Sequence, residues 1–117
     1  NPENKTFVAA FEKEYKRLPT LYAAMAYDLG LLLSSALPTI KGKTGDKEAL
    51  TTAIESAKFK SIRGNFKFNK NHMPIQDWAL RTVVRDDTGR ITNRTVDRIV
   101  AGHLDSYAQN CNMTAAK

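Results

Sequence analysis

Cysteine is nearly missing from this chain. Of 117 residues only Cys111 carries a thiol, so no internal disulfide can form. The thiol is buried, paired with another chain, or parted from a partner outside the sequence. Long apolar runs are missing too. The longest, Leu29 to Leu37, is interrupted by Gly30, Ser34 and Ser35 and falls short of the roughly 20 residues that span a bilayer. No basic region followed by an apolar one opens the chain at Asn1-Pro2, so no signal peptide is expected here. The start suggests a processed product or a piece of something longer. Histidine appears twice, at His72 and His103, far apart and with only Cys111 as a possible soft companion. That spacing fits no zinc site and gives a His103–Cys111 nucleophile pair no orienting third group. Gly-x-Ser-x-Gly and His-Glu-x-x-His are absent, and "DDTGR" lacks the alternating acids of a calcium loop. Gly42-Lys43-Thr44 resembles the end of a phosphate-binding loop. However, Leu37 stands where its first glycine belongs, and a helical pattern rather than a strand precedes it. No enzyme activity, metal or cofactor is expected.

One sign of charge predominates. The net charge of +6 favours anionic partners, but basic residues are spread from Lys5 to Lys117 and interleaved with acids. The best candidate nucleic-acid face is Arg81, Arg85, Arg94 and Arg98, evenly spaced on predicted strands with few aromatics between them. A solvated surface is the preferred reading, and nucleic acid is not an expected partner. The composition, 42% hydrophobic and 26% charged, is that of one globular domain.

What is present begins with helices. Asn1 and Pro2 suit an N-cap and first helical position, and Phe7, Val8, Phe11 and Tyr15 follow helical spacing up to Pro19. Thr20 can cap a second helix over about Leu21 to Leu37, which Pro38 ends. That helix is apolar nearly all round, implying burial on several sides, and Gly30 within it implies close packing against another element. Asp46 caps a third, amphipathic helix whose Leu50, Ala53, Ile54 and Ala57 form one stripe. The period then shortens. Phe66 and Phe68 alternate as in a strand, "DWALRTVV" and "RITNRTVDRIV" flank the turn "DDTG", and Leu80 to Val100 reads as a hairpin. "HLDSYAQNC" suits a short terminal helix, and "MTAAK" a loose end. The expected fold class is α/β: three helices, then three short strands. Nothing alternates strand and helix as a complete doubly wound domain would.

The segments "FVAAFEKEYKRLPTLYAAMAYDLGLLLSSAL", "DKEALTTAIESAKFKSIRGNFKFNKN" and "PIQDWALRTVV", in that order, resemble the C-terminal third of type I periplasmic solute-binding proteins. These are the leucine/isoleucine/valine-binding-like receptors of ABC importers. The resemblance runs from about Asn4 to Val84 and loosely through Met113. It implies a two-lobed α/β fold with three chain crossings, closing like a hinge on a small carboxylate solute and then docking on a membrane permease. Members with "NHxPIQD" after the Phe-rich strand take aromatic acids rather than amino acids. The start of the "YAAxxYD" helix would look into the cleft, which makes Tyr27, Met25 and Tyr22 the candidate ligand-binding residues. Tyr27 matches best. A tyrosine supplies a flat apolar face and one hydroxyl. Asp28 is expected to pair or cap locally. The third crossing would fall near Ile75 to Leu80, giving residues 1–74 to one lobe and 75–117 to the other. A periplasmic location follows, where Cys111 could be half of a disulfide. The chain would then associate with the N-terminal remainder of the same protein or with an intertwined copy of itself. A ligand-sensing module of the same fold, or a small basic nucleic-acid-binding domain, is the alternative function.

Overall fold

The computed structural model describes residues 1–113. Apart from Met113, the expected loose end lies outside the described residues. Three helices come first: α1 (Pro2–Tyr15), α2 (Leu21–Ala36) and α3 (Lys47–Glu55). Each starts where a short polar side chain can satisfy an orphan backbone N–H. Asn1 Oδ1 accepts from Asn4 N at 2.8 Å, Thr20 Oγ1 from Ala23 N at 3.3 Å, and Asp46 Oδ1 from Ala49 N at 3.0 Å. α1 closes on Lys16, which takes the left-handed conformation (φ 56°) and donates its N–H to the Glu12 carbonyl.

Pro38 does not stop the second helix. The chain tightens into a 3-10 turn, Leu37–Ile40, with Pro38 in its first turn, where a missing N–H breaks no hydrogen bond. The continuous helix Leu21–Ile40 therefore reaches 20 residues at a mean hydropathy of 1.3. By length and composition alone it is long enough to cross a membrane, contrary to the sequence expectation. Its buried side holds a carboxylate, Asp28, bound by three donors of a later loop, which ties the helix to its own domain.

The strands form one antiparallel sheet in the order β1 (Lys67–Phe68), β2 (Pro74–Arg85), β3 (Ile91–His103). They are unequal rather than uniformly short: β1 has 2 residues, and β2 and β3 have 12 and 13. The hairpin extends well past the expected Leu80–Val100. Its register slips at three places, between Gln76 and Trp78, Trp78 and Ala79, and Leu80 and Arg81. Such irregularities bend and twist a ribbon. At the tip, Asp86 exchanges backbone hydrogen bonds with Arg90 and Gly89, and Gly89 supplies the left-handed φ of 82°. The expected terminal helix is only a three-residue 3-10 turn, Ala108–Asn110. The tail returns to the β1–β2 loop, where Asn71 Nδ2 donates to Asp105 Oδ2 at 2.7 Å.

The core is small. Phe7, Leu32, Ala36, Ala53, Ile62 and Ala108 are its buried apolar residues. α2 contributes only Asp28, Leu32 and Ala36 to the interior, while Leu21, Tyr22, Met25 and Leu29 face outward. The burial expected on several sides is therefore absent, because no element among the described residues forms a second layer over that helix. Gly30 is likewise uncrowded: a side chain there would meet nothing within 4 Å. Trp78, Leu80, Val83, Ile91, Val96, Ile99 and Val100 leave the hairpin exposed as well.

Candidate functional site

The first half of α2 carries the three candidates but does not gather them. At about 100° per residue, Tyr22 and Met25 lie some 60° apart, while Tyr27 points about 140° from Tyr22. Tyr22 is 80% exposed and Met25 47%, and both stand on the outward flank. Tyr27 turns toward α1. Its ring packs on Phe7 with centroids 4.7 Å apart, leaving Tyr27 44% exposed. Phe7 in turn meets Phe11 at 5.8 Å, and Phe11 meets Tyr15 at 4.5 Å. Tyr27 thus ends a four-ring ladder that covers part of its ring and leaves the rest exposed. Offset and tilted ring pairs of this kind stabilise by about 0.5–1.5 kcal/mol each beyond their buried area.

Asp28, the next residue, pairs as expected, though across the fold rather than locally. It is 2% exposed. Its Oδ2 accepts from Ser61 Oγ at 2.6 Å and Arg63 Nε at 2.7 Å, and its Oδ1 accepts from Ile62 N at 2.9 Å. Asn1 Nδ2 donates to the Ser61 carbonyl at 3.1 Å. One carboxylate therefore anchors the tyrosine-bearing helix to the 61–63 loop and to the start of α1. The acid directly after Tyr27 was the only sequence signal for this node. Its partners, 33 to 35 positions away, carry no periodicity that would have revealed them.

Other chemistry-bearing groups lie elsewhere in the fold. His72, in a left-handed conformation (φ 61°), bonds Glu55 at the end of α3. His103 stacks edge-on against Trp78 at 6.2 Å. Cys111 is half-buried and unpaired with sulfur. Among the described residues no group of three or more His, Cys, Asp or Glu side chains could hold a metal ion. The Gly42-Lys43-Thr44 loop leads into α3, whose N-terminus is occupied by the Asp46 carboxylate. A shallow depression of ≈ 290 Å³ lies there. A wider, open groove of ≈ 640 Å³ runs between the end of α3 and β1, lined by Phe59, Phe66 and Phe68 with Lys58, Lys60 and Lys67. It does not include the three candidate residues.

The arginines proposed as a basic face are divided by the register. Thr82 pairs with Arg94, whereas Arg81 and Arg85 pair with Thr95 and Ile91. Cross-strand partners share a face, so Arg94 projects opposite Arg81 and Arg85. Even spacing on each strand could not reveal this, because register decides which parities meet. Arg98 is engaged by Asp77 at 3.2 Å. The Asp77 carboxyl is held below its ordinary range, first by the Gly102 backbone N–H; desolvation opposes this, and the hydrogen bond and charge of Arg98 add to the lowering.

Comparison with known proteins places these features in a larger frame. Residues 1–89 match the model of a family described as periplasmic binding protein. An ABC transporter substrate-binding protein from Sphaerobacter thermophilus is 34% identical, with a TM-score of 0.77 over 87% of this chain and 28% of its own. A solute-binding protein of an R. palustris ABC transporter, crystallised in complex with benzoate, is 31% identical. Its TM-score is 0.80 over 97% of this chain and 30% of its own. The present chain therefore spans under a third of the solved structures it matches. No curated protein matches.

Proposed function

Because the chain belongs to the periplasmic binding protein family, we propose that it forms the C-terminal part of a two-lobed solute receptor serving an ABC importer. In this reading residues 1–74 belong to one lobe, and 75–117 cross to the other through the irregular ladder near Ile75 to Leu80. The receptor captures a small carboxylate, an amino acid or an aromatic acid, by hinge closure in the periplasm. It performs no chemistry on the solute. The ligand and the permease are its partners. The observation that carries the reading is the match over 97% of the chain to a solute-binding protein crystallised with benzoate.

Tyr27 is the proposed pocket wall, with the exposed part of its ring toward the solute and the rest supported by Phe7. Tyr22 and Met25, about 140° and 160° around the helix from Tyr27, meet the facing lobe or the edge of the solute. The exposed apolar residues of α2 and of the hairpin become buried against the rest of the receptor, which explains a core smaller than a 117-residue chain can build.

The test is calorimetric titration of the complete receptor carrying this segment, with benzoate and branched amino acids as probes. Tyr27→Ala should weaken binding of the true ligand by about two- to tenfold, the range that one aromatic contact supplies. Unchanged affinity would remove Tyr27 from the site. Absence of binding by the unmodified receptor to any small carboxylate would remove the function.

A further inference from the structure

The hairpin and the helices meet in an unusual way. β2 and β3 run for 12 and 13 residues, about 40 Å at ordinary strand rise, and expose apolar residues along most of that length. They do not pack on the helices. At the base, the hairpin is tied to the first part of the chain by β1 pairing and by the Asn71–Asp105 hydrogen bond. At the tip, Arg90 reaches Glu12 on α1. Among the described residues, this is the only side-chain hydrogen bond or ion pair linking the β2–β3 hairpin to a helix.

Arg90 is held ready for that contact. Its Nε donates to Asp86 Oδ2 at 3.1 Å and its backbone N to Asp86 Oδ1 at 2.9 Å. Asp86 is itself fixed by Thr88 Oγ1 at 2.6 Å and Thr88 N at 2.9 Å. Arg85 braces the same turn through the Gly89 carbonyl at 2.6 Å. The guanidinium is therefore positioned before it meets Glu12, so little side-chain freedom is lost on contact. That distinguishes this three-charge arrangement from an isolated exposed pair. All three register irregularities lie at the opposite end of the hairpin, between Gln76 and Arg81.

We infer that Glu12 and Arg90 form a latch that holds the hairpin tip against α1, with the irregular ladder between Gln76 and Arg81 as the pivot. When the latch opens, the tip swings away from α1 while the base stays attached. The swing itself does not depend on what the receptor binds. Its consequence does rest on the solute-receptor reading: the latched form is the closed form, and loss of the pair weakens ligand affinity by about two- to fivefold, as expected for one well-ordered surface pair.

The latch is tested on the complete receptor carrying this segment, without ligand, by electron paramagnetic resonance distances between spin labels. The labels go on Ala9→Cys in α1 and Asp87→Cys at the tip, in a Cys111→Ser background. Glu12→Gln, Arg90→Gln and their combination complete a double-mutant cycle. The unsubstituted pair should give one narrow distance distribution. Either single change should broaden and lengthen it, and the double change should add almost nothing further. Raising salt from about 0.05 to about 1 M on the unsubstituted chain should act in the same direction, a readout that needs no variant. Identical narrow distributions in all four proteins, additive effects of the two changes, or a broad salt-insensitive distribution in the unsubstituted chain would each overturn the latch. Failure of the carboxylate titration with the latch intact would overturn only the function.

Discussion

Removing the Asp28 carboxylate tests how the tyrosine-bearing helix is held. Asp28→Asn preserves shape but removes the charge facing Arg63, and it replaces an oxygen that accepts from Ser61 and Arg63 with an amide donor. Hydrogen bonds to a charged group contribute about 1.5–3 kcal/mol each, and breaking a buried pair by deleting one partner typically costs about 3–5 kcal/mol. Arg63 keeps partial access to water, with its side chain 29% exposed, so its charge can be resolvated and the lower end of that range applies. A loss of about 3 kcal/mol is expected. Asp28→Ala should be at least as damaging, because it also strands the Ile62 N–H. Arg63→Gln should cost a comparable amount, about 2–3 kcal/mol, because it leaves the buried carboxylate without its counter-charge and with only two donors. The assay is urea unfolding followed by far-ultraviolet circular dichroism, in which the midpoint should fall with little change in slope. The refuting result is a loss under about 1 kcal/mol for Asp28→Asn, or one under about 1 kcal/mol for Arg63→Gln. Either would mean that packing of Leu32 and Ala36, not the carboxylate, positions α2.

Two further outcomes follow from the caps and the turn. Asp46→Ala should destabilise α3 by about 1 kcal/mol through loss of the bond to Ala49 N, seen as a lower denaturation midpoint and faster amide exchange in the first turn; Asp46→Asn should restore most of it. The Asp86 carboxyl is lowered to about 2 from 3.8, chiefly by the Thr88 hydroxyl and the Arg90 backbone N–H. A depressed carboxylate stabilises the folded turn fully above its unfolded value and loses that contribution as pH falls through its folded value. Amide shifts of Thr88 and Arg90 should therefore be flat at neutral pH and step with a midpoint near the folded value of about 2; Asp86→Asn should abolish that step.

Much of the local structure was legible in the sequence because its causes are local. Asn1, Thr20 and Asp46 bond backbone N–H groups three residues on, so the start of each helix was fixed by residues within one turn. The "DDTG" turn was visible for the same reason. Pro38 misled because its effect depends on whether the chain continues as an α-helix or a 3-10 turn. The ordered motifs from "FVAAF" to "PIQDW" also carried the family, which the match over residues 1–89 bears out.

Tertiary structure alone decided the rest. Apolarity along α2 foretold an interior, but which flank is covered depends on layers that the described residues do not supply, so Tyr22, Met25 and Leu29 stand outward. Tyr27 was marked by its motif, yet its partner Phe7 lies 20 residues earlier, at a distance set by how α1 crosses α2. The same holds for Asp28 with Ser61, Ile62 and Arg63, for Arg94 parted from Arg81 by register, and for Arg90 meeting Glu12 across 78 positions. Caps and turns lie within a few bonds along the backbone and are written in neighbouring letters. Side chains that meet through space leave no regular spacing, because the intervening chain can satisfy that meeting at almost any length.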